Sequence, residues 1–490
     1  MTPSTSPLWF AAWLISAVSL LAPSFGNDDA EESLPNLVLI MADDLGKEWV
    51  SCYGADGIET PHIDALAQTG MKFENFYCMP QCTPTRVSLL TGQYPFRHGW
   101  VNHWDVPRWG GGCSFDPELN PSFPRAIRSA GYATAAAGKW QIDDFRVEPD
   151  AMQAAGFNAY CMWTGYEKGN APSARRYQDP YVYEDGKATT RQGAFGPDVY
   201  ADYLVDFIGK SKARPMMIYF PMALPHGPLV PTPDEPAAAT KLERHRAMVR
   251  HVDKLVGRLV AALEENGLRR RTVIVFTTDN GTSRDIVGSR DGVAVKGGKA
   301  TTAESGVNVP LIVSCPGRIA EKSTSSALVD ITDIAPTLCE LAGVESRGES
   351  FDGHFDGHSM VDVLDGRTQT TARPWILAMG GGNRARLTEA GVENEYWFRD
   401  RVLRNERFKA FIGSDGRLVK LIDLLSPTPD ADVQDAESPA VLRAKGLFLE
   451  AVREMPGADS DPSYSHVEAR DWYVKPTAKS RAWKKGNPAH

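Results

Sequence analysis

Six polar side chains and one thiol carry the chemistry that this sequence could perform. Asp43 and Asp44 directly follow a short apolar run, Lys139 follows a second, His226 comes a few residues after a third, and Asp279-Asn280 follow a fourth. Singly, each has an ordinary explanation: an acidic pair behind a strand caps a helix or shapes a turn, and Asp-Asn-Gly is a common turn sequence. Together they mean more, because residues at the carboxyl ends of neighbouring parallel strands meet in one cleft. Three carboxylates converging there repel one another and demand a cation. Their oxygens and the Asn280 amide carbonyl form a hard donor set, suited to calcium or magnesium and not to zinc or copper. An ion so held would neutralise and polarise an oxygen of an anionic substrate. A histidine beside it is the natural proton donor near neutral pH.

The thiol is Cys82, in the segment Cys82-Thr83-Pro84-Thr85-Arg86-Val87-Ser88-Leu89-Leu90-Thr91-Gly92. Proline near the start and glycine at the close place Cys82 at or just before a helix N-terminus. The dipole and free backbone amides there favour an anion. Taken alone, the segment reads as a buried cysteine in a capped helix.

These residues need a scaffold that brings them together. β-rich apolar runs at Asn36 to Met41, Tyr132 to Ala137, Met216 to Phe220, Thr272 to Thr277 and Val309 to Ser314 alternate with helical stretches at His62 to Thr69, Ser122 to Ala130, Val199 to Ile208 and Glu243 to Glu265. This βαβ rhythm predicts an α/β fold: a mainly parallel mixed sheet sandwiched by helices. After residue 371 the texture changes to short strands at Glu395 to Leu403, Arg407 to Ile412 and Arg417 to Ile422, with Ser414-Asp415-Gly416 as a hairpin turn. A linker from Ser426 to Glu437 and a helix from Pro439 to Glu454 follow, which predicts a smaller C-terminal antiparallel sheet plus helix subdomain.

Composition narrows the function. With a formal charge of -9 and ordinary hydrophobic and charged fractions, the chain is not a nucleic-acid binder. The run Leu8 to Ala22, followed by Ser24 and Gly26, reads as a signal peptide over residues 1–26. No Lys or Arg precedes it, so a retained anchor is the alternative; if the signal is cleaved there is no stable membrane insertion. The seven cysteines lack the close pairing of zinc or redox motifs. If Cys82 is consumed by chemistry, six remain, compatible with disulfides or with free thiols.

Content and order of these motifs are similar to the type I sulfatases of the alkaline phosphatase superfamily, over most of the mature chain. Cys82 to Arg86 satisfies that family's Cys-x-Pro-x-Arg element, with Thr85 where serine is commonest. Gly138-Lys139-Trp140, Pro225-His226-Gly227-Pro228, Thr278-Asp279-Asn280-Gly281, and Lys296-Gly297-Gly298-Lys299 with Glu304 resemble its lysine, histidine, second metal and last lysine motifs. Pro336-Thr337-Leu338 and Leu421-Ile422-Asp423-Leu424 resemble later elements of the same family.

The resemblance implies hydrolysis of a sulfate ester, with Cys82 oxidised to Cα-formylglycine by a formylglycine-generating enzyme. It implies a catalytic domain over residues 27–370 and a C-terminal subdomain with a basic tail over 371–490. Asp43, Asp44, Asp279, Asn280 and the modified Cys82 would bind calcium, or magnesium. Arg86 would support the aldehyde hydrate and the metal site, Lys139 and Lys299 would contact the sulfate, and His226 would protonate the leaving alcohol. A hydrated aldehyde suits this role, since one hydroxyl attacks sulfur and deprotonation of the other expels the sulfate. The signal implies an exported, periplasmic or extracellular enzyme, and export favours a sulfated oligosaccharide or other sulfated small molecule as substrate.

Two positions depart from the pattern. Where many relatives read Lys-Trp-His, this chain has Lys139-Trp140-Gln141, and an amide accepts no proton at useful pH. Gln141 is expected to orient a substrate oxygen while His98, His103 or water acts as base. In Glu304-Ser305-Gly306-Val307-Asn308 the usual arginine is missing, which removes a local ion pair. Substrate contacts are expected from the stretches Trp100 to Gly112 and Trp163 to Arg176, with Trp104 and Trp109 stacking on sugars and Arg108, Arg175 and Arg176 meeting anionic groups. The rival readings are a phosphate or phosphonate ester hydrolase of the same superfamily and a non-catalytic glycan-binding pseudoenzyme.

Overall fold

A run of six apolar residues in one strand must be covered on both faces, and in Asn36–Ala42 (β1) it is: Leu37, Leu39 and Met41 enter one core, Val38, Ile40 and Ala42 another. The computed structural model describes residue 1 and residues 34–101, 112–143, 145, 148–163, 176–344, 355–379, 386–388, 391–393, 401–428, 430–457 and 464–467. The leading segment over 1–26, the tail from Lys475, and the positions His103, Trp104, Arg108, Trp109 and Arg175 lie outside these residues.

The main sheet continues with Gly70–Tyr77 (β2), Ala133–Lys139 (β3), Ala159–Trp163 (β4), Tyr181–Glu184 (β5), Lys187–Thr190 (β6), Met216–Pro221 (β7), Thr272–Thr278 (β8), Leu311–Ser314 (β9) and Ser323–Asp330 (β10). These ten strands lie in the order β10-β2-β9-β8-β1-β7-β3-β4-β5-β6. The centre, β8-β1-β7-β3-β4, is parallel throughout. The run ending at Ser314 does not extend this parallel set: β9 is antiparallel to both β2 and β8. β2 and β10 escape a hydropathy reading because both mix polar with apolar residues, and pairing with each other stabilises them as strands.

Helices cover both faces. Cys82–Thr91, Phe123–Ser129 and Ile334–Leu341 contribute Val87, Leu89, Ile127 and Leu338 to the first core. Pro61–Gln68 (α1), Gly196–Ser211 (α4) and Lys241–Glu265 (α5) contribute Ile63, Leu66, Leu204, Met248, Val252 and Leu259 to the second, where Cys82–Thr91 is α2, Phe123–Ser129 α3 and Ile334–Leu341 α6. The last begins with a capping box between Thr240 and Glu243. Among the described residues no helix is long and apolar enough to cross a membrane. Cys52, Cys78, Cys82, Cys161, Cys315 and Cys339 are free thiols.

A second, antiparallel sheet is formed by Ile376–Met379 (β11), Arg401–Arg404 (β12), Phe408–Ile412 (β13) and Leu418–Asp423 (β14), in that order. The turn at Gly416 (φ 74°) joins β13 to β14, and the helix Pro439–Glu454 (α7) adds Phe448 to the first core.

This second sheet supplies the ion pair that the missing arginine was expected to remove. Arg404 and Lys409 reach Glu304 at 3.0 and 2.7 Å, and Arg404 also donates to Asn75 Oδ1 at 2.6 Å. Asn308 donates to Glu304 Oε2 (3.0 Å) and accepts from Lys47 Nζ (2.7 Å). The cations thus come from a hundred residues away in sequence instead of from the next turn. Burial pushes the Glu304 carboxyl up, but Lys409 and Arg404 outweigh it and bring it down to about 2.

Glu304→Ala leaves the buried Lys409 and Arg404 without their shared anion, and because the Glu304 side chain is 39% exposed and partly screened it is expected to cost about 1 kcal/mol in urea unfolding at pH 7. Adding Lys409→Met to it should recover part of that loss. Because the folded carboxyl is depressed from 4.5 to about 2, its contribution is complete above about pH 4.5 and disappears as pH falls towards 2. A gap between wild type and Glu304→Ala that stays constant over that range contradicts the assignment.

Candidate active site

The carboxyl ends of β8, β1, β7 and β3 are adjacent in the sheet, so whatever follows each strand is delivered to one place. Backbone bonds lock these exits together: Asp43 donates to the Leu224 carbonyl (2.8 Å), Met222 to Met41 (2.8 Å) and Asp279 to Ala42 (3.2 Å). Two glycines permit the close approach. A Cβ on Gly138 would sit 2.0 Å from the Pro221 oxygen, and one on Gly281 would sit 1.8 Å from that of Ser305.

Asp43, Asp44, Asp279 and Asn280 are brought together and buried. Asp44 takes φ 67°, a left-handed conformation that aspartate tolerates better than most residues. Asp43 meets Lys139 Nζ at 2.5 Å, whereas Asp44 meets Lys299 Nζ at 2.5 Å and Asn280 Nδ2 at 2.6 Å. Lys139 closes β3, one residue earlier than a position behind the strand. Arg86, on α2, directs Nε (3.1 Å) and Nη2 (2.7 Å) to Asp279 Oδ2 and Nη1 to the Lys139 carbonyl (3.2 Å). Arg86 therefore holds Asp279 and Lys139 in one frame.

Burial opposes every charge in this cluster. It pushes the Asp279 carboxyl up to about 6, with Asp43 adding to the effect, and it raises the Asp44 carboxyl as well. Asp43 goes the other way: burial is outweighed by Lys139, His226, Arg86 and Lys299 together, and its carboxyl lies below the usual range. Burial is outweighed at Lys299 too, where Asp44, Cys82, Asp43 and Asp279 hold the ammonium above the usual lysine range. The site thus contains two carboxylates whose charge is disfavoured.

A bound cation answers that repulsion, and the donors present fit one. Asp43 Oδ1 and Asn280 Oδ1 are buried oxygens without a hydrogen-bond partner among the described residues. Such lone pairs cost about 1–3 kcal/mol each when left unsatisfied. Donor atoms of Asp43, Asp44 and His226 fall within 4.8 Å of one another. Three carboxylates and an amide oxygen make the hard set that calcium or magnesium prefers.

Cys82 is the first residue of α2, behind an extended Gln81 whose side chain does not cap the helix. Its Sγ accepts a hydrogen bond from Gln141 Nε2 at 3.2 Å. Gln141 therefore touches residue 82 itself, and it does so from a left-handed backbone conformation (φ 77°) that glutamine seldom adopts. Its other amide atom, Oε1, is buried with no partner among the described residues.

His98 is not the replacement base. Its Nδ1 accepts from the Trp100 amide (3.1 Å), its Nε2 bonds Ser88 Oγ (3.1 Å), and burial brings its imidazole down to about 3.

Arg176, expected only as one of several contacts to anionic substrate groups, instead braces His226. Its guanidinium stacks on Trp163 at 4.2 Å and donates from Nη1 to His226 Nδ1 at 2.6 Å. Nδ1 also lies 2.7 Å from the Gly227 carbonyl, so it faces one donor and one acceptor, while Nε2 lies 3.8 Å from Asp44 Oδ2. Burial, then Lys299 and Arg176, lower the imidazole well below its ordinary range. Tyr177 Oη donates to the Ala223 carbonyl (2.6 Å) and to that of His226, fixing the loop. No spacing rule links residue 176 to residue 226, so the sequence carried no signal of this brace.

The family profile described as Sulfatase matches residues 35–344. The chain is 29% identical to the N-acetylgalactosamine-6-sulfatase of Canis lupus familiaris over 74% of its own length and 72% of that protein. It is 28% identical to the steryl-sulfatase of Mus musculus over 70% of its length and 67% of that protein. Among solved structures, Ps i-CgsB in complex with k-i-k-neocarrahexaose superposes with a TM-score of 0.72 at 23% identity, covering 92% of this chain and 97% of that one. With the motifs, the fold and the converging site in agreement, the chain belongs to the sulfatase family: it is a type I sulfatase of the alkaline phosphatase superfamily and a sulfuric ester hydrolase.

Proposed function

We propose that this exported enzyme hydrolyses a sulfate ester of a sulfated carbohydrate, using residue 82 as Cα-formylglycine and a calcium ion held by Asp43, Asp44, Asp279 and Asn280. The observation that carries the reading is the meeting of these four oxygen-bearing side chains with Lys139, Lys299 and His226. The carbohydrate class is supported by the relative named for N-acetylgalactosamine-6-sulfate chemistry and by the neighbour solved with a neocarrahexaose. Export rests on the leader over residues 1–26, and maturation needs a formylglycine-generating enzyme.

Calcium at these oxygens supplies charge neutralisation for the carboxylates and polarisation of a sulfuryl oxygen. Formylglycine, hydrated, supplies two hydroxyls on one carbon, a nucleophile and a route to sulfate release. The chain's own residues do the rest. Lys139, which is buried, and Lys299, which is partly exposed, are held in place by Asp43 and Asp44, and they bind sulfuryl oxygens where charge develops. Arg86 keeps Asp279 oriented. His226 turns Nε2 towards the cluster and, protonated there, offers a donor to the leaving oxygen. Gln141 orients the substituent of residue 82, since its amide already reaches that side chain.

Peptide mass spectrometry of protein from a host with the maturation enzyme should find sulfur replaced by oxygen, with loss of two hydrogens, at position 82. An unmodified thiol there would sink the mechanism. Activity should depend on calcium and favour an aryl sulfate over the matching phosphate mono- and diesters at least tenfold; a preference for a phosphoester overturns the substrate class. Arg86→Lys keeps the charge but cannot make both contacts to Asp279, and should raise the calcium needed for half-maximal rate about tenfold. Gln141→Ala should lower kcat about tenfold with KM within about twofold and unchanged formylglycine content. Unchanged kcat would remove Gln141 from the site's working parts.

A further inference from the structure

Beside the catalytic cluster lies a pocket of about 240 Å³, lined among others by Asp44, Gly227, Pro228, Lys241, His245 and Ser283. His245 is 2% exposed, and neither of its ring nitrogens has a hydrogen-bond partner among the described residues. That is not how this protein treats its other buried histidines. His98 has both nitrogens bonded, and so has His251 on the same helix, to Asp234 (3.2 Å) and Asp198 (3.1 Å). Trp49 meets the His245 ring edge to face at 4.4 Å and holds it in place. Lys241 stands one turn earlier on the same face of α5 and is paired with Asp285.

We propose that this pocket is a subsite for the neutral, hydroxyl-bearing part of a sugar next to the scissile sulfate. The proposal rests on the carbohydrate reading above and specifies which group of the substrate enters. Burial brings the His245 imidazole down to about 4, so near neutral pH it offers one donor and one acceptor. Two neighbouring sugar hydroxyls answer them, one accepting from the ring N–H and one donating to the bare nitrogen; a sulfate or carboxylate only accepts. The surrounding charges agree. Lys241 is already matched by Asp285, and Asp44 forms another wall, so among the described lining residues no unpaired lysine or arginine is left to bind a second anion. The volume lies below the roughly 300–1,000 Å³ of drug-sized sites and suits a single small ring or part of one.

His245→Phe keeps ring volume and removes both nitrogens. Binding of D-galactose, D-glucose and N-acetyl-D-galactosamine would be measured by calorimetry, and kcat/KM for a monosulfated saccharide and for 4-nitrophenyl sulfate. At least one neutral sugar should bind the wild type, and about tenfold more weakly the variant. The variant's KM should rise about tenfold more for the saccharide than for the aryl sulfate. His245→Asn, which retains a donor and an acceptor, should lose less. Should the phenylalanine variant not fold, ¹⁵N-histidine spectra of the wild type serve instead, in which the His245 resonances should shift on sugar addition. The proposal is overturned if no neutral sugar binds the wild type, if wild type and variant bind equally, or if those resonances stay still. Absence of aryl sulfate hydrolysis would count against the catalytic reading, and sugar binding would still report on the pocket.

Discussion

Three aspartates and an asparagine are buried within hydrogen-bonding reach of two lysines and an arginine, and their mutual repulsion is the constraint around which the rest of the molecule is arranged. Carboxylates out of water must be charged beside a cation or be neutral. Asp43 follows the first course and Asp44 and Asp279 lean to the second, which divides the cluster into a satisfied part and a part that a divalent ion would complete. The lysines and Arg86 hold the carboxylates in geometry.

Such a cluster stays in register only if its backbone is rigid. Four adjacent parallel strands supply this, and glycine at 138 and 281 lets neighbouring chains come within contact distance where any Cβ would collide. The two apolar cores on either side leave the sheet little freedom to shift. At the site Asp44 and Gln141 both take left-handed conformations, next to the residues that would hold the ion and the nucleophile.

The departures from the family pattern are resolved by parts of the chain far from them in sequence. Glu304, which lacks a nearby arginine, is neutralised by Arg404 and Lys409 of the second sheet, so that sheet serves the stability of the segment beside the cluster. Gln141 contacts residue 82 directly, from 59 positions along the chain. The Glu304 adjustment preserves charge balance without preserving residue identity.

Much of this was legible in order and type alone. Apolar runs that are buried on both faces have no alternative but a central strand, so β1, β7 and β8 and the helices between them follow from residue pattern, as do the helix opened by Cys82 and the helix Pro439–Glu454. The convergence of Asp43, Asp44, Lys139, His226, Asp279 and Asn280 follows in turn, since strand ends in a parallel sheet share one rim. The mixed strands β2 and β10 and the reversal of β9 were not legible, because their stability comes from partners and not from their own composition. Nor were the brace of Arg176 on His226, the Gln141 contact to Cys82, the remote ion pair of Glu304, or the unsatisfied ring of His245. Each is a side-chain contact between segments without a fixed spacing. The sequence determines which groups can meet at a strand end; only tertiary packing decides which hydrogen bonds and charges they find once there.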